Sequence, residues 1–260
     1  MDETQALLPA AVAPAAPTTL AASTTALPRW AAGLEALLVC GIPTQVVIAT
    51  VLVFAANVPL LDNDGHVSLE FFSTLSLIDT AVVALLIRVF LWLSAEDPVA
   101  VFVGARPVRG ELLRGLALVP VVILAVTGIV LGLRTVAPWT HTVTQNPLEA
   151  FMQTPFEAGI FMFVVMLAGG VREELQRAFI LHRFEQRLGG VRVGLAVFSV
   201  TFGVLHLEQG LDVAVAVGLL GLLWGVLYVK RRSVVLPMVN HATFNALQVL
   251  QGVLLRSFGG

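Results

Sequence analysis

The chain has 260 residues, of which 57% are hydrophobic and only 12% are charged, and its formal net charge at pH 7 is -2. Soluble domains have about a quarter charged residues, so this composition and the mean hydropathy of +0.90 indicate an integral membrane protein. The slight negative charge argues against a nucleic-acid partner, and the single cysteine, Cys40, excludes an internal disulfide.

The apolar pattern predicts an all-α fold. Residues 1–34 are predicted to form a tail, of which 1–28, rich in Ala, Pro and Thr, are interpreted as disordered rather than as a signal peptide. Apolar stretches of about twenty residues, each long enough to cross roughly 30 Å of hydrocarbon, then recur at 36–58, 71–94, 112–133, 150–171, 191–207, 211–229 and 234–255.

Continuous apolar runs are typical of membrane helices and not of barrel strands. We therefore predict a polytopic bundle of seven to eight transmembrane helices, the eighth formed by the apolar residues that follow Glu174. The single membrane domain divides into N-terminal transmembrane helices at 35–149 and a transmembrane core at 150–258.

Basic residues alternate between loops and predict the orientation of the chain. The loop at 59–70 contains acidic residues and no Lys or Arg, whereas Arg, with one Lys, clusters near 106–114, 183–192 and 230–232. Because Lys and Arg favour cytoplasmic loops, we expect the N-terminus and these basic loops in the cytoplasm.

Several polar side chains lie deep within the apolar stretches, where ionisable groups are functional candidates. Glu173 and His206 lie at equal sequence distances on the two sides of the Gly189–Gly190 turn, which predicts the same depth for both. His241 and Asn245, four residues apart, share one helix face. Arg177 is three residues from Glu174 and four from Glu173, so it can neutralise one carboxylate and leave the other for chemistry.

This set of groups is suited to hydrolysis. A carboxylate beside a histidine can take a proton from water and pass it to a leaving group, while a second histidine and an amide can stabilise an oxyanion. Cys40 and Ser199 have no evident catalytic partners. No cofactor is expected, although Glu173, His206 and His241 could together bind Zn²⁺; the absence of a His-Glu-x-x-His motif and the presence of Asn245 argue against it.

The residues also resemble a known family, the CAAX-protease and bacteriocin-processing (CPBP) intramembrane proteases, which include the Rce1-type prenyl-protein endopeptidases and the Abi proteins. Three motifs stand in the family's order: Glu173-Glu174, Phe202 to His206, and His241 to Asn245. The resemblance implies peptide-bond hydrolysis, with Glu173 and His206 activating water, His241 and Asn245 holding the oxyanion, and Glu174 and Arg177 as auxiliary residues. One departure is that the family pattern places its arginine at the position of Ala178, one residue after Arg177.

We therefore expect a CAAX-prenyl-protease-2-like intramembrane endopeptidase in the inner membrane of a bacterium, with its active site open to the cytoplasm. Its partners would be the lipid bilayer and a peptide or membrane-associated protein substrate. Two alternatives remain open: a non-enzymatic immunity or scaffold protein of the Abi type, which the displaced arginine favours, and a transporter that uses the buried Glu and His groups for proton coupling.

Overall fold

The computed structural model describes residues 27–259, which form only helices and connecting segments with one isolated β-bridge, so the all-α prediction is confirmed for this part of the chain. The predicted disordered leader falls largely on residues 1–26, outside the described residues. The first helix begins at Arg29, so the tail boundary predicted at residue 34 lies inside a helix. The α-helices run as follows: α1 Arg29–Val39, α2 Ile42–Phe54, α3 Leu69–Leu93, α4 Pro98–Phe102, α5 Val108–Val136, α6 Pro155–Val164, α7 Glu173–Arg187, α8 Val191–Val204, α9 Leu211–Arg231 and α10 Val235–Gly259.

The apolar stretch predicted at 36–58 is two helices rather than one. Helices α1 and α2 meet at a bend of 46°. Gly41 at the bend has φ +89°, a left-handed conformation that disfavours side chains, and Pro43 lies in the first turn of α2. The break directs the first turn of α2 towards α3.

Helices α6 and α7 form one continuous helical element of 33 residues, because the π-helical segment Val165–Arg172 joins them. The span predicted at 150–171 and the separate helix predicted after Glu174 are therefore a single element. Glu173 lies near the middle of this element, directly after the π-helical segment. Insertions of π-helix are rare and often mark functional sites.

Within residues 27–259, four helical elements are long and apolar enough to cross a membrane, namely α3, α5, α6–α7 and α9, and the count is five if the bent α1–α2 pair is one span. The predicted count of seven to eight spans is not confirmed. Helix α8 has 14 residues and so a length of about 21 Å, less than a hydrocarbon layer of about 30 Å. Helix α10 has 25 residues, but polar side chains interrupt its apolar sequence.

Glycines allow α10 to approach the π-helical segment closely. A Cβ atom on Gly170 would lie 2.6 Å from Ala242 Cα and 2.9 Å from Ala242 N, and one on Gly169 would lie 2.5 Å from Asn245 Nδ2. Since small residues let membrane helices pack backbone to backbone, Gly169 and Gly170 allow Asn245 and Ala242 of α10 to lie directly against the π-helical segment.

A network of charges holds the other end of α7 to the N-terminal helices. The fully buried Arg183 donates to Glu35 of α1 at 2.5 Å and to Glu96, in the loop before α4, at 2.7 Å. Burial alone would raise the pKa of Glu96, but hydrogen bonds from His182, Gln186 and Arg183 outweigh it and lower the pKa to about 2.

The low pKa of Glu96 predicts acid-dependent stability. A carboxylate with a depressed pKa stabilises the fold above its ordinary value of 4.5 and loses that contribution as the pH falls towards 2. We expect Glu96→Gln to lower the melting temperature in detergent at pH 7, with the gap to the wild type closing between about pH 4.5 and pH 2. A gap of constant size over this range would contradict the prediction.

The close packing at Gly170 predicts that a larger side chain there lowers stability. Gly170→Ala should lower the melting temperature, because its Cβ would meet the backbone of Ala242, which cannot rotate away. Overpacking of this kind costs about 1–3 kcal/mol. The control is Gly159→Ala in α6, where a Cβ would have no neighbour within 4 Å. Equal melting temperatures for the two variants would show that the packing at Gly170 is unimportant.

Candidate active site

The two adjacent glutamates at the start of α7 have different surroundings. The side chain of Glu174 is 1% exposed, whereas that of Glu173 is 20% exposed. Consecutive helical residues point about 100° apart, so one carboxylate can be sealed while its neighbour reaches open space. The pair therefore supplies one isolated and one accessible carboxylate.

Arg177 neutralises Glu174 inside the bundle. Its guanidinium donates to Glu174 Oε1, so Glu174 is the one of the two predicted candidates that it neutralises, and the Arg177 side chain is 1% exposed. The same guanidinium lies 4.9 to 5.5 Å from the ring centroids of Phe198, Phe202 and Trp224. Aromatic faces attract a cation, so the aromatic residues stabilise an arginine that cannot reach water.

Ala178 occupies the position where the family pattern places its arginine. Its side chain is fully buried in an apolar cluster that includes Val83 and Phe179. The charge that neutralises Glu174 therefore comes from Arg177, on the side of α7 that faces α8 and α9.

His241 lies between the two glutamates. Its Nδ1 is 2.9 Å from Glu174 Oε1, and its Nε2 is 3.9 Å from Glu173 Oε2. An ionised carboxylate only accepts hydrogen bonds, so Nδ1 of His241 carries a proton and Nε2 is the nitrogen on the side of Glu173.

Trp224 fixes the plane of the His241 ring. The two rings stack with centroids 3.8 Å apart and planes 19° apart. The Trp224 indole donates to Asn240 Oδ1 at 2.8 Å, and the Asn240 amide donates to the Gly115 carbonyl at 3.1 Å. Helices α5, α9 and α10 together therefore orient this histidine.

His206 follows the end of α8 and is half-buried. Its Nδ1 is 2.7 Å from the Phe202 carbonyl oxygen. Since a carbonyl only accepts, Nδ1 carries the proton, and in the neutral ring Nε2 has the free lone pair. The Phe202 ring lies 4.8 Å from the His206 ring and 6.3 Å from the His241 ring, which places Phe202 between the two histidines.

Arg177 and Phe202 form a contact between α7 and α8, one helical turn nearer the connecting loop than Glu173 and His206. Arg177 and Phe202 also lie at equal sequence distances on the two sides of the Gly189–Gly190 turn. The Arg177 guanidinium carbon is 5.0 Å from the centre of the Phe202 ring. Glu173 and His206 are each four residues farther from the turn, and their common depth stays a prediction.

Asn245 is held against the π-helical segment. Its Nδ2 donates to the Val165 carbonyl at 3.1 Å. An amide nitrogen has two N–H donors, so the second stays available. Asn245 lies one turn beyond His241 on α10, as the motif spacing predicted.

Sequence reasoning missed Asp79 and Trp224. Asp79 is fully buried in α3 and pairs with Arg172, the residue just before Glu173. An acidic residue inside the apolar stretch 71–94 was a detectable signal, because ionisable groups at membrane depth are functional candidates. Trp224 carried no such signal, since its stacking on His241 depends on the packing of α9 against α10.

Within residues 27–259, no three His, Cys, Asp or Glu side chains form a group with the geometry of a metal site. Glu173, His206 and His241, the candidate zinc ligands, do not form such a group in this part of the chain. Structural and catalytic zinc sites need three or four ligands at about 2.0–2.3 Å from the metal.

Residues 155–247 match the protein-family model described as type II CAAX prenyl endopeptidase Rce1-like. All three motifs lie inside this segment, so the match confirms the family resemblance. The matched segment is less than half of the chain, and α1–α5 lie outside it. Comparisons with curated proteins and with solved structures gave no match.

The buried Glu174–Arg177 pair predicts a large loss of stability when its cation is removed. Arg177→Met should leave a buried, uncompensated carboxylate and lower the free energy of unfolding by about 3–5 kcal/mol. Denaturation in mixed micelles would measure this loss. The double variant Glu174→Gln/Arg177→Met should recover much of it, because no charge is then buried alone. Arg192→Met, at an exposed site on α8, is the control. A double variant no more stable than Arg177→Met would refute the charge argument.

Proposed function

We propose that the protein is an intramembrane endopeptidase in which Glu173 and His206 activate water, while His241 and Asn245 hold the oxyanion. The family match supports CAAX-type proteolysis in general. The observation that carries the finer proposal is the contrast between the sealed, neutralised Glu174 and the accessible Glu173.

A general base must be reachable by water and must keep a free lone pair. Glu173 meets the first condition with a 20% exposed side chain, and its nearest cationic and imidazole partners, Arg172 and His241, are 3.5 and 3.9 Å away. Both distances are longer than a normal charge-assisted hydrogen bond of about 2.7–2.9 Å. Glu174, by contrast, already accepts from Arg177 and His241, which suits a positioning role.

In the proposed reaction, a water molecule binds between the Glu173 carboxylate and His206 Nε2. Glu173 takes one proton from this water while the water oxygen attacks the peptide carbonyl carbon, and the carbonyl oxygen becomes an oxyanion. As the C–N bond breaks, the departing amine takes the proton from Glu173, which restores the carboxylate. The products are a carboxylic acid and an amine.

The oxyanion needs hydrogen-bond donors at its position. The second N–H of Asn245 Nδ2 is one such donor, since the first is engaged by Val165. Nε2 of His241 is the other. It can donate only when the ring is protonated on both nitrogens, because Nδ1 already donates to Glu174.

We also propose that the substrate is a peptide or the tail of a membrane-associated protein, and that the site opens towards the cytoplasm of a bacterium. The orientation rests on the basic residues between α7 and α8 and after α9. The many large apolar side chains exposed along the helices support contact with the lipid bilayer.

The proposed roles predict the loss of cleavage in two variants. Glu173→Gln keeps the shape but removes the base, and His206→Ala removes its partner, so each should reduce turnover of a quenched-fluorescent peptide library at least ~100-fold. Glu208→Gln, at an exposed carboxylate two residues beyond His206, should keep wild-type turnover. Cleavage by the wild type and by this control should be insensitive to chelators.

Two other outcomes would favour a different function or a different mechanism. Folded wild type that cleaves no peptide would favour the immunity or scaffold function, and binding of a peptide without turnover would support it. Inhibition by a chelator, together with stoichiometric zinc that is lost in His206→Ala, would replace the metal-free mechanism with a zinc mechanism.

A further inference from the structure

A second buried charge cluster adjoins Glu173 and has no part in the mechanism above. Its centre is Asp79 of α3, which is fully buried. The Asp79 carboxylate accepts hydrogen bonds from Arg172, from the Thr44 hydroxyl and, at 3.1 Å, from the Gln45 amide. Thr44 and Gln45 belong to the first turn of α2, directly after the break at Gly41.

Arg172 is shared unequally between two carboxylates. One terminal nitrogen, Nη1, binds Asp79 Oδ2, and the other, Nη2, is 3.5 Å from Glu173 Oε1. The second distance is at the outer limit of a hydrogen bond. Asp79 therefore holds the guanidinium, and Glu173 has only a long contact with it.

The unequal sharing of Arg172 matters because arginine binds a carboxylate best through two parallel hydrogen bonds. A guanidinium paired in this way with Glu173 would occupy both carboxylate oxygens and stabilise the ionised form. Such a carboxylate would be a poor acceptor for a proton from water. Since Asp79 competes for the same guanidinium, its charge determines how much of Arg172 reaches Glu173.

We propose that Asp79 is a positioning residue, which holds Arg172 against α3 and so leaves Glu173 free to take a proton from water. The inference rests on the proposed function. It assigns part of the site to α2 and α3, which lie outside the family match, because Thr44 and Gln45 in turn hold Asp79.

The first arm of the test does not depend on activity. An experimental structure of the Asp79→Asn variant should show Arg172 turned towards Glu173, with both terminal nitrogens within about 3 Å of the Glu173 oxygens. Asp79→Glu, which keeps the charge, should leave Arg172 on α3. An Arg172 side chain that stays against α3 in the Asp79→Asn variant would overturn the inference, whatever the protein cleaves.

The second arm measures kcat and KM on variants shown to be folded by circular dichroism. Asp79→Asn should lower kcat at least about tenfold with little change in KM, because Glu173 is engaged by Arg172. Adding Arg172→Gln in the Asp79→Asn background should raise kcat again, since the competing guanidinium is gone. A residue that merely supports the fold would give a double variant with kcat no higher than that of Asp79→Asn.

Glu35→Gln is the matched control. Glu35 is also a buried carboxylate that pairs with an arginine of α7, but its partner Arg183 lies ten residues from Glu173, about 15 Å along the helix. This variant should keep the wild-type kcat. A fall in kcat equal to that of Asp79→Asn would overturn the inference, because any lost buried charge would then have the same effect.

The two arms separate the inference from the proposed function. If Arg172 moves onto Glu173 in the Asp79→Asn variant but the wild type cleaves no peptide, the result would support the competition for Arg172 and reject the peptidase function. Wild-type cleavage that requires Glu173, combined with an unmoved Arg172 and an unchanged kcat in Asp79→Asn, would support the peptidase and reject a positioning role for Asp79.

Discussion

The ion pair between Glu174 and Arg177 is the interaction on which the site depends. Both side chains are sealed from solvent, and a charge buried alone in such surroundings would cost several kcal/mol. Neither residue can therefore be changed without its partner. The aromatic rings of Phe198, Phe202 and Trp224 surround the cation, and two of these rings also contact His241. The pair thus joins α8, α9 and α10 around His241, whose Nε2 is 3.9 Å from Glu173 Oε2.

Buried charge pairs repeat along the α6–α7 element and attach it to its neighbours. Arg172 pairs with Asp79 of α3, and Arg183 pairs with Glu35 of α1 and with Glu96 before α4. The hydrophobic effect does not drive helices together within lipid, so polar contacts and close packing decide which faces meet. The charged residues of this apolar chain therefore select which helices pack together. Each residue of these pairs packs against an oppositely charged neighbour, because a buried charge without a partner would cost several kcal/mol.

The π-helical segment before Glu173 is the second feature that constrains the geometry of the site. It ends at Arg172 and is covered by α10, which approaches through Gly169 and Gly170. The Val165 carbonyl at its start receives the Asn245 amide. Close approach and this hydrogen bond together place the third motif beside the first. These contacts stabilise the π-helical segment at the point where the three motifs, which are distant in the sequence, come together.

The sequence alone predicted the helical membrane class, the three motifs and the neutralisation of one of the two glutamates by Arg177. These follow from hydropathy and from helical spacing, which are local properties. It could not determine the number of spans, because the bend at Gly41 and the continuity of residues 155–187 depend on how the segments pack. Nor could it show that Glu173 is open while Glu174 is sealed, or that Asp79 and Trp224 approach the site. Those features were decided by the tertiary structure, since they depend on contacts between residues far apart in the chain, such as Arg172 with Asp79 and His241 with Glu174.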